Sequence, residues 1–173
     1  MYAVVFFPQN LPREIQNFRK KYDFKWNLIP PHITLVFPFN SSDETAILGH
    51  IKKKIVAIKP FDIAVDTYKK THDNYSHLTF KKGVSELTHI HDILYTAILE
   101  QNLKTDITYE PHLTIGNFQN ENGELRQDVC SKALTDLDNS SLSYEGEVDA
   151  ITLIEIIDDA TPRRLVQTIK LHN

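Results

Sequence analysis

Two stretches of the sequence, Pro31-His32-Ile33-Thr34-Leu35 and Pro111-His112-Leu113-Thr114-Ile115, share the pattern proline, histidine, apolar, threonine, apolar. The second stretch follows the first by roughly half a chain. In an extended strand the side chains alternate between two faces, so residues i and i+2 share a face. Each stretch therefore presents a histidine and a threonine on one face and two apolar side chains on the other. We predict that the two stretches form strands whose apolar faces are buried. We also predict that the rest of the chain brings their His-Thr faces together.

The segments around these strands alternate between helical and extended patterns. Apolar residues at helical spacing predict helices at 12–22, 43–58, 84–101 and around 125–137. Alternating or short apolar runs predict strands at 2–7, 32–37, 61–66, 75–81, 111–118, 142–148, 150–157 and 164–171. Pro38 is expected to end the first histidine strand, and a hairpin loop is expected at 158–164. Because short turns join many of these strands, the order predicts an α+β fold with a largely antiparallel sheet. The repeated histidine strand predicts two similar lobes related by a pseudo-twofold axis.

Composition and charge restrict the kinds of partner. The 173 residues are 41% hydrophobic and 24% charged, which is typical of a soluble globular protein, and we predict a single domain over residues 1–173. A net charge of −4 gives no global basic field, so extended duplex nucleic acid is not an expected partner. A small phosphate-bearing ligand needs only a local positive patch. The basic residues of the first helix are expected on its surface: Arg13, Arg19, Lys20 and Lys21.

The cysteine count and the N-terminus bear on the location. Cys130 is the only cysteine, so no disulfide can form within the chain, which fits a reducing compartment. The apolar run at 2–7 follows no basic segment and is too short for a signal peptide or a membrane span. We therefore expect a cytoplasmic protein with no membrane partner, and we expect a monomer.

Two histidines at one site suit the cleavage of a phosphodiester. That reaction needs one proton removed from the nucleophile and another given to the leaving oxygen. An imidazole has an unperturbed pKa of about 6.5, so near neutral pH one ring can act as general base and the other as general acid. Threonine hydroxyls at i+2 can donate to the phosphate oxygens on which charge builds. This arrangement requires no metal ion and no cofactor.

With these residues in view, the chain resembles the 2H phosphoesterase superfamily, which has two His-x-Thr (or Ser) motifs about half a chain apart. The superfamily includes the 2′-5′ RNA ligase-like proteins and cyclic nucleotide phosphodiesterases. Similarity to its small bacterial YjcG-like branch extends over residues 4–116, in Val4-Val5-Phe6-Phe7-Pro8, Arg19-Lys20-Lys21-Tyr22-Asp23, Leu28-Ile29-Pro30-Pro31-His32-Ile33-Thr34-Leu35, Leu94-Tyr95-Thr96 and Pro111-His112-Leu113-Thr114-Ile115-Gly116.

The resemblance implies a bilobal fold with helices packed outside and a central cleft. It implies metal-independent chemistry on 2′,3′-cyclic phosphates or 2′-5′ linkages, with a nucleotide or an RNA end as substrate. His32 and His112 would be the acid–base pair, and Thr34 and Thr114 would bind the phosphate. Which histidine is the acid stays open.

Other residues could extend this site or compete with it. A third copy of the motif, His77-Leu78-Thr79, lacks the proline and the half-chain spacing, and we predict that it is strand surface outside the site. Phe39 and Phe118 follow the two motifs and could stack on a base, although core packing is favoured. His72, His77, His89 and His91 show no chelating spacing, so we predict no metal site.

Three functions remain open from the sequence. The first is an enzyme, a phosphoesterase acting on a nucleotide or an RNA end. The second is a non-catalytic module that binds the same ligands in the same cleft. The third is 2′-5′ RNA ligase activity, the same chemistry in reverse, against which the absence of a strong basic surface weighs.

Overall fold

The computed structural model describes residues 1–70, 74–120, 122–156 and 164–172. Eight strands, four α-helices and one 3₁₀ helix follow one another along these residues: β1 (Tyr2–Phe6), α1 (Arg13–Tyr22), β2 (Ile33–Phe39), α2 (Glu44–Ile55), β3 (Phe61–Lys70), β4 (Tyr75–Lys82), α3 (Val84–Leu94), the 3₁₀ helix (Ala97–Asn102), β5 (His112–Asn117), α4 (Gln127–Asp138), β6 (Glu145–Val148), β7 (Ala150–Glu155) and β8 (Arg164–Lys170).

All eight strands form one sheet in the order β6-β3-β4-β5-β2-β1-β7-β8. Every pair of neighbours is antiparallel. The two motif strands, β2 and β5, are neighbours at the centre, and three strands lie on either side of this pair. The predicted α+β fold with two related lobes is therefore confirmed, and the lobes are the two halves of one continuous sheet.

The two halves are built alike and pack crosswise. In one half β1, α1 and β2 follow each other, and in the other half β4, α3 and β5 do so. Helix α1 packs against β5, and helix α3 packs against β2. Each motif strand is therefore held in place by the helix that precedes the other motif strand.

The apolar face of each motif strand enters the hydrophobic core, as its alternation predicts. Ile33 and Leu35 of β2 and Leu113 and Ile115 of β5 are completely buried. The helices cover them with apolar stripes that include Ile15, Ile51 and Leu87, each without accessible surface or nearly so. Burying a side chain of this size stabilises the fold by about 1.5–3 kcal/mol relative to leaving it exposed.

Residues just before α2 and α3 explain where these two helices begin. The Asp43 carboxylate accepts a hydrogen bond from the Ala46 amide at 2.8 Å, so it caps α2. Gly83 precedes α3 with a φ of 82°, a left-handed conformation that favours glycine. A Cβ atom at position 83 would lie 2.7 Å from the carbonyl oxygen of Asp62, so the close approach also requires glycine.

The structure corrects two predicted boundaries, and a third prediction falls largely outside the described residues. The helix predicted at 84–101 ends at Leu94, and a 3₁₀ helix follows, because Thr96 is extended and Ala97 has a φ of 50°. Strand β2 does not end before Pro38 but continues through it to Phe39. The β1–β2 register is irregular between the pairs Tyr2–Phe39 and Val4–Val36, and a proline is tolerated at such an irregularity. The predicted hairpin loop at 158–164 lies outside the described residues except for Arg164, which begins β8.

Most of the buried apolar side chains belong to one cluster that includes both motif strands and all four α-helices. A smaller cluster on the other face of the sheet contains Ala3, Val5 and Ile154. In the described part of the chain, the helices are too short or too polar for any of them to span a bilayer. The assignment of residues 1–173 to one domain stays a prediction.

Candidate functional site

The four predicted site residues come together where β2 meets β5. Ile33 lies opposite Leu113 in this antiparallel pair. In a regular antiparallel pair this register would place His32 beside Thr114 and Thr34 beside His112, on the face opposite the core. All four side chains are partly exposed. We refer to these four residues as the two-by-two block; His32 and Thr114 line one cavity.

The third copy of the motif extends this block on β4. His77 lies opposite Thr114, and Thr79 lies opposite His112. The His77 ring stacks on the His112 ring with a centroid distance of 3.8 Å and an interplanar angle of 16°. The prediction that His77-Leu78-Thr79 is strand surface outside the site is therefore wrong. Its pairing depends on the order of strands in the sheet, which the three-residue pattern does not contain.

The two motif histidines have the same local hydrogen bond. His32 Nδ1 lies 2.9 Å from the carbonyl oxygen of Pro30, and His112 Nδ1 lies 2.7 Å from the carbonyl oxygen of Glu110. A carbonyl oxygen only accepts, so Nδ1 carries the hydrogen in both rings. In the neutral form of each ring, Nε2 is then the nitrogen that accepts a proton. The proline before each histidine, with its fixed φ, suits the chain direction that brings Nδ1 to the carbonyl two residues earlier.

Beyond the Ile33–Leu113 pair, side chains replace the β2–β5 ladder. Three hydrogen bonds satisfy the backbone of β2: Tyr109 Oη donates to Thr34 O at 2.9 Å, His91 Nδ1 donates to Leu35 O at 2.8 Å, and the Phe37 amide donates to Tyr95 Oη at 2.9 Å. The two motif strands can therefore diverge without leaving these groups unsatisfied.

His91 belongs to this structural support. It is only 4% exposed, and its ring stacks on Tyr109 with a centroid distance of 3.7 Å. Burial lowers the pKa of His91, which favours the neutral ring with its hydrogen on Nδ1. Burial also raises the pKa of Tyr109, so its hydroxyl stays protonated and donates.

A buried ion pair holds the segment that leads into His32. Arg19 is 6% exposed, so the prediction that it lies on the helix surface is wrong. Its Nη2 lies 2.7 Å from Asp23 Oδ2 and 3.0 Å from the carbonyl oxygen of Ile29. Asp23 also forms a backbone bridge with Asn117 at the end of β5. The pair therefore ties the approach to the first motif to the end of the second motif strand.

One cavity opens at His32, and a second cavity adjoins it. The smaller one, about 200 Å³, is lined by His32 and Thr114 together with Lys25. The larger one, about 550 Å³, is lined by Trp26 and Lys20. Both cavities reach Arg19 and Pro31, so they are neighbours. Lys20 and Lys25 supply a local positive patch, which is all that a phosphate-bearing ligand needs.

Trp26 is the exposed aromatic ring near the site that sequence reasoning missed. Phe39 and Phe118 are 5% and 0% exposed, so the prediction that both rings pack in the core is confirmed. Trp26 is 42% exposed, and the Lys20 ammonium lies 5.3 Å from the centroid of its ring. The available signal was a lone tryptophan in the polar segment that precedes the first motif.

His89 and the cysteine lie apart from this block. Within the described ranges, no three side chains among His, Cys, Asp and Glu lie close enough together to hold a metal ion. His89 is exposed on α3 and lines a separate cavity. His72 lies outside the described residues. Cys130 is completely buried in α4.

Comparison with known proteins identifies a family and several relatives of this chain. A family model described as the 2′-5′ RNA ligase superfamily matches residues 7–160. A protein of Halalkalibacterium halodurans is 30% identical over 164 residues, which cover 92% of this chain and 91% of that protein. A protein of Bacillus licheniformis is 27% identical over 164 residues, which cover 92% of each chain. Both carry the name "Putative phosphoesterase".

A solved structure has the same fold. The crystal structure of Escherichia coli LigT complexed with 3′-AMP superposes with a TM-score of 0.63 and covers 100% of both chains. Its sequence identity is 14%, so the likeness concerns the fold.

Proposed function

Because the chain belongs to the 2′-5′ RNA ligase superfamily, we propose that it is a metal-independent phosphoesterase. Its substrate is a nucleotide or an RNA end that carries a 2′,3′-cyclic phosphate or a 2′-5′ phosphodiester. The observation that carries this proposal is the pairing of the two motif strands at Ile33 and Leu113, together with the cavity that His32 and Thr114 line in common. The identical Nδ1 hydrogen bonds of the two histidines support it, since they prepare both rings for proton exchange at Nε2.

The proposed reaction uses one histidine as base and the other as acid. The base takes a proton from water at Nε2 while the water oxygen forms a bond to phosphorus. The bond from phosphorus to a ribose oxygen breaks, and the other imidazolium gives that oxygen its proton. The Thr34 and Thr114 hydroxyls donate to the non-bridging phosphate oxygens and stabilise the charge that develops there.

The larger cavity suits the nucleoside part of the substrate. A volume of about 550 Å³ lies in the range of small-molecule sites. Trp26 offers a partly exposed ring on which a base can stack, and the Lys20 ammonium lies over that ring. The scissile phosphate would occupy the smaller cavity at His32 and Thr114, and the nucleoside would extend past Arg19 and Pro31.

The variant Trp26→Ala tests this placement. Base stacking is worth about 1–3 kcal/mol, so we expect KM for a 2′,3′-cyclic nucleotide to rise roughly tenfold. The kcat should change little, because Trp26 is not placed at the reacting atoms. Steady-state kinetics with the base-free substrate glycerol 1,2-cyclic phosphate provide the comparison, and its KM should be the same in both proteins. Trp26→Phe is the matched control and should retain most of the affinity. An equal rise of KM for both substrates would show that the base does not bind in this cavity.

The function itself is tested by turnover. Purified protein is incubated with 2′,3′-cyclic nucleotides and short 2′-5′ linked oligonucleotides in the presence of EDTA. We expect hydrolysis of at least one member of this panel. Binding without any turnover would reject the phosphoesterase and identify a non-catalytic module that uses the same cleft. Joining of 2′,3′-cyclic phosphate and 5′-hydroxyl RNA ends would identify the ligase activity.

We also propose that the protein is cytoplasmic and monomeric. The only cysteine, Cys130, is buried and unpaired with any other cysteine, which suits a reducing compartment. Sedimentation at micromolar concentration should give a mass near 20.0 kDa. A mass of twice that value would reject the monomer.

A further inference from the structure

A further cation, Lys69, lies beside the site on the other half of the sheet. It is opposite His77 of β4, and His77 is opposite Thr114 of β5. Cross-strand partners share a face, so Lys69 lies on the same face as the motif residues, in agreement with the stacking of His77 on His112. Neighbouring strands are about 4.8 Å apart, so β3 lies about 10 Å from β5.

The Lys69 ammonium is held by the carboxylate of Glu110, the residue two positions before His112. The nitrogen and the oxygen are 2.7 Å apart, and the two side chains are 53% and 57% exposed. An ion pair this exposed contributes little net free energy, because water competes for both charges. Lys69 can therefore exchange Glu110 for another anion at small cost.

The surface between Lys69 and the site is polar. Thr79 of β4 lies opposite His112, is half-buried, and donates from its hydroxyl to the carbonyl oxygen of Thr67 at 3.2 Å. A substrate of one nucleotide, with its base at Trp26, would occupy only the half of the sheet on the opposite side of the site. A chain that continued from the scissile phosphate over β4 would bring its next phosphate to β3, where an ammonium can bind it as a point charge.

We propose that Lys69 binds the phosphate next to the scissile one in an RNA end, so that the preferred substrate is an oligonucleotide and not a single nucleotide. The inference rests on the proposed function, because that function places the scissile phosphate at His32 and Thr114. In the free protein Glu110 holds the ammonium, and in the complex the phosphate replaces the carboxylate. A single added contact of this kind is local, so it needs no global basic field in a chain of net charge −4.

The direct test compares the binding of two ligands and needs no turnover. One is adenosine 3′-monophosphate, and the other is ApAp, which adds one nucleoside and one phosphodiester on the 5′ side. Isothermal titration calorimetry of the wild type should give a Kd for ApAp that is roughly tenfold lower. Lys69→Gln should remove most of this difference and leave the Kd of the mononucleotide unchanged. In Lys69→Gln the slope of log Kd for ApAp against log salt concentration should be smaller by about 0.7, because one phosphate contact to a single strand is lost.

Two further variants separate a direct contact from a change in local charge. If Lys69 binds the phosphate, Lys69→Gln should weaken ApAp binding also in a Glu110→Gln background, again roughly tenfold. Lys82→Gln is the matched control, since Lys82 forms an equally exposed pair with Asp62 at 2.7 Å, and it should leave both Kd values unchanged.

Three results would overturn the proposal. If Lys69 only neutralised Glu110, the effect of Lys69→Gln on ApAp would disappear in the Glu110→Gln background. Equal Kd values of the two ligands in the wild type would reject the contact and leave the proposed function intact. Absence of binding for both ligands would reject the contact together with the ligand class of the proposed function.

Discussion

Replacing His112 by alanine should lower kcat/KM by about a hundredfold to ten-thousandfold, the usual contribution of a general acid or base. The same loss is expected for His32→Ala, because both histidines belong to the same motif and have the same Nδ1 hydrogen bond. Both side chains are partly exposed on the face opposite the core, so the fold should remain intact. Steady-state kinetics on the best substrate of the panel, with circular dichroism to monitor folding, would measure both effects.

Asparagine is the sharper substitution at both positions. Its side-chain amide can replace Nδ1 as donor to the carbonyl oxygen of Pro30 or Glu110, but it offers no group equivalent to Nε2. We therefore expect His32→Asn and His112→Asn to be as inactive as the alanine variants while retaining the local hydrogen bond. His89→Asn, on the exposed surface of α3, is the matched control and should keep full activity. Turnover near that of the wild type in either asparagine variant would remove that histidine from the mechanism.

The largest expected loss of stability follows from Asp23→Ala. This change leaves the Arg19 guanidinium buried without its carboxylate, with side-chain exposures of 8% for Arg19 and 5% for Asp23 in the intact pair. Removing one partner of a buried ion pair typically costs about 3–5 kcal/mol, because the remaining charge is uncompensated. For a chain of this length we expect Tm to fall by about 10 °C. Urea unfolding followed by circular dichroism would give the free energy of unfolding.

Two further variants identify the cause of that loss. Asp62→Ala breaks the exposed pair with Lys82, whose side chains are each 60% exposed, and it should cost less than about 1 kcal/mol. The double variant Arg19→Met/Asp23→Leu removes both buried charges and should be more stable than Asp23→Ala alone. If Asp23→Ala and Asp62→Ala had equal effects, the pair would not act as a buried anchor.

The sequence predicted those parts of the site that depend on local alternation. His32 and Thr34 share a face because two positions separate them, and their apolar neighbours are buried for the same reason. The same holds for His112 and Thr114. The α+β fold with a largely antiparallel sheet followed from the order of the elements and their short turns.

The parts that the sequence did not predict depend on long-range geometry. His77 reaches His112 only because β4 and β5 are neighbours in the sheet. Arg19 belongs to a basic run that is typical of an exposed helix face, and its burial requires Asp23 and the Ile29 carbonyl at particular places. Trp26 becomes relevant because the cavity it lines adjoins the one at His32. None of these contacts leaves a periodic pattern in the chain.

The pH dependence of kcat/KM, measured in the presence of EDTA on the best substrate of the panel, tests the central claim most directly. A mechanism with one neutral and one charged imidazole predicts a bell-shaped profile, with one limb for the base and one for the acid. The profile and its maximum should be the same with and without EDTA. A rate that only rises with pH, or activity that EDTA abolishes, would contradict a metal-independent reaction carried out by two histidines.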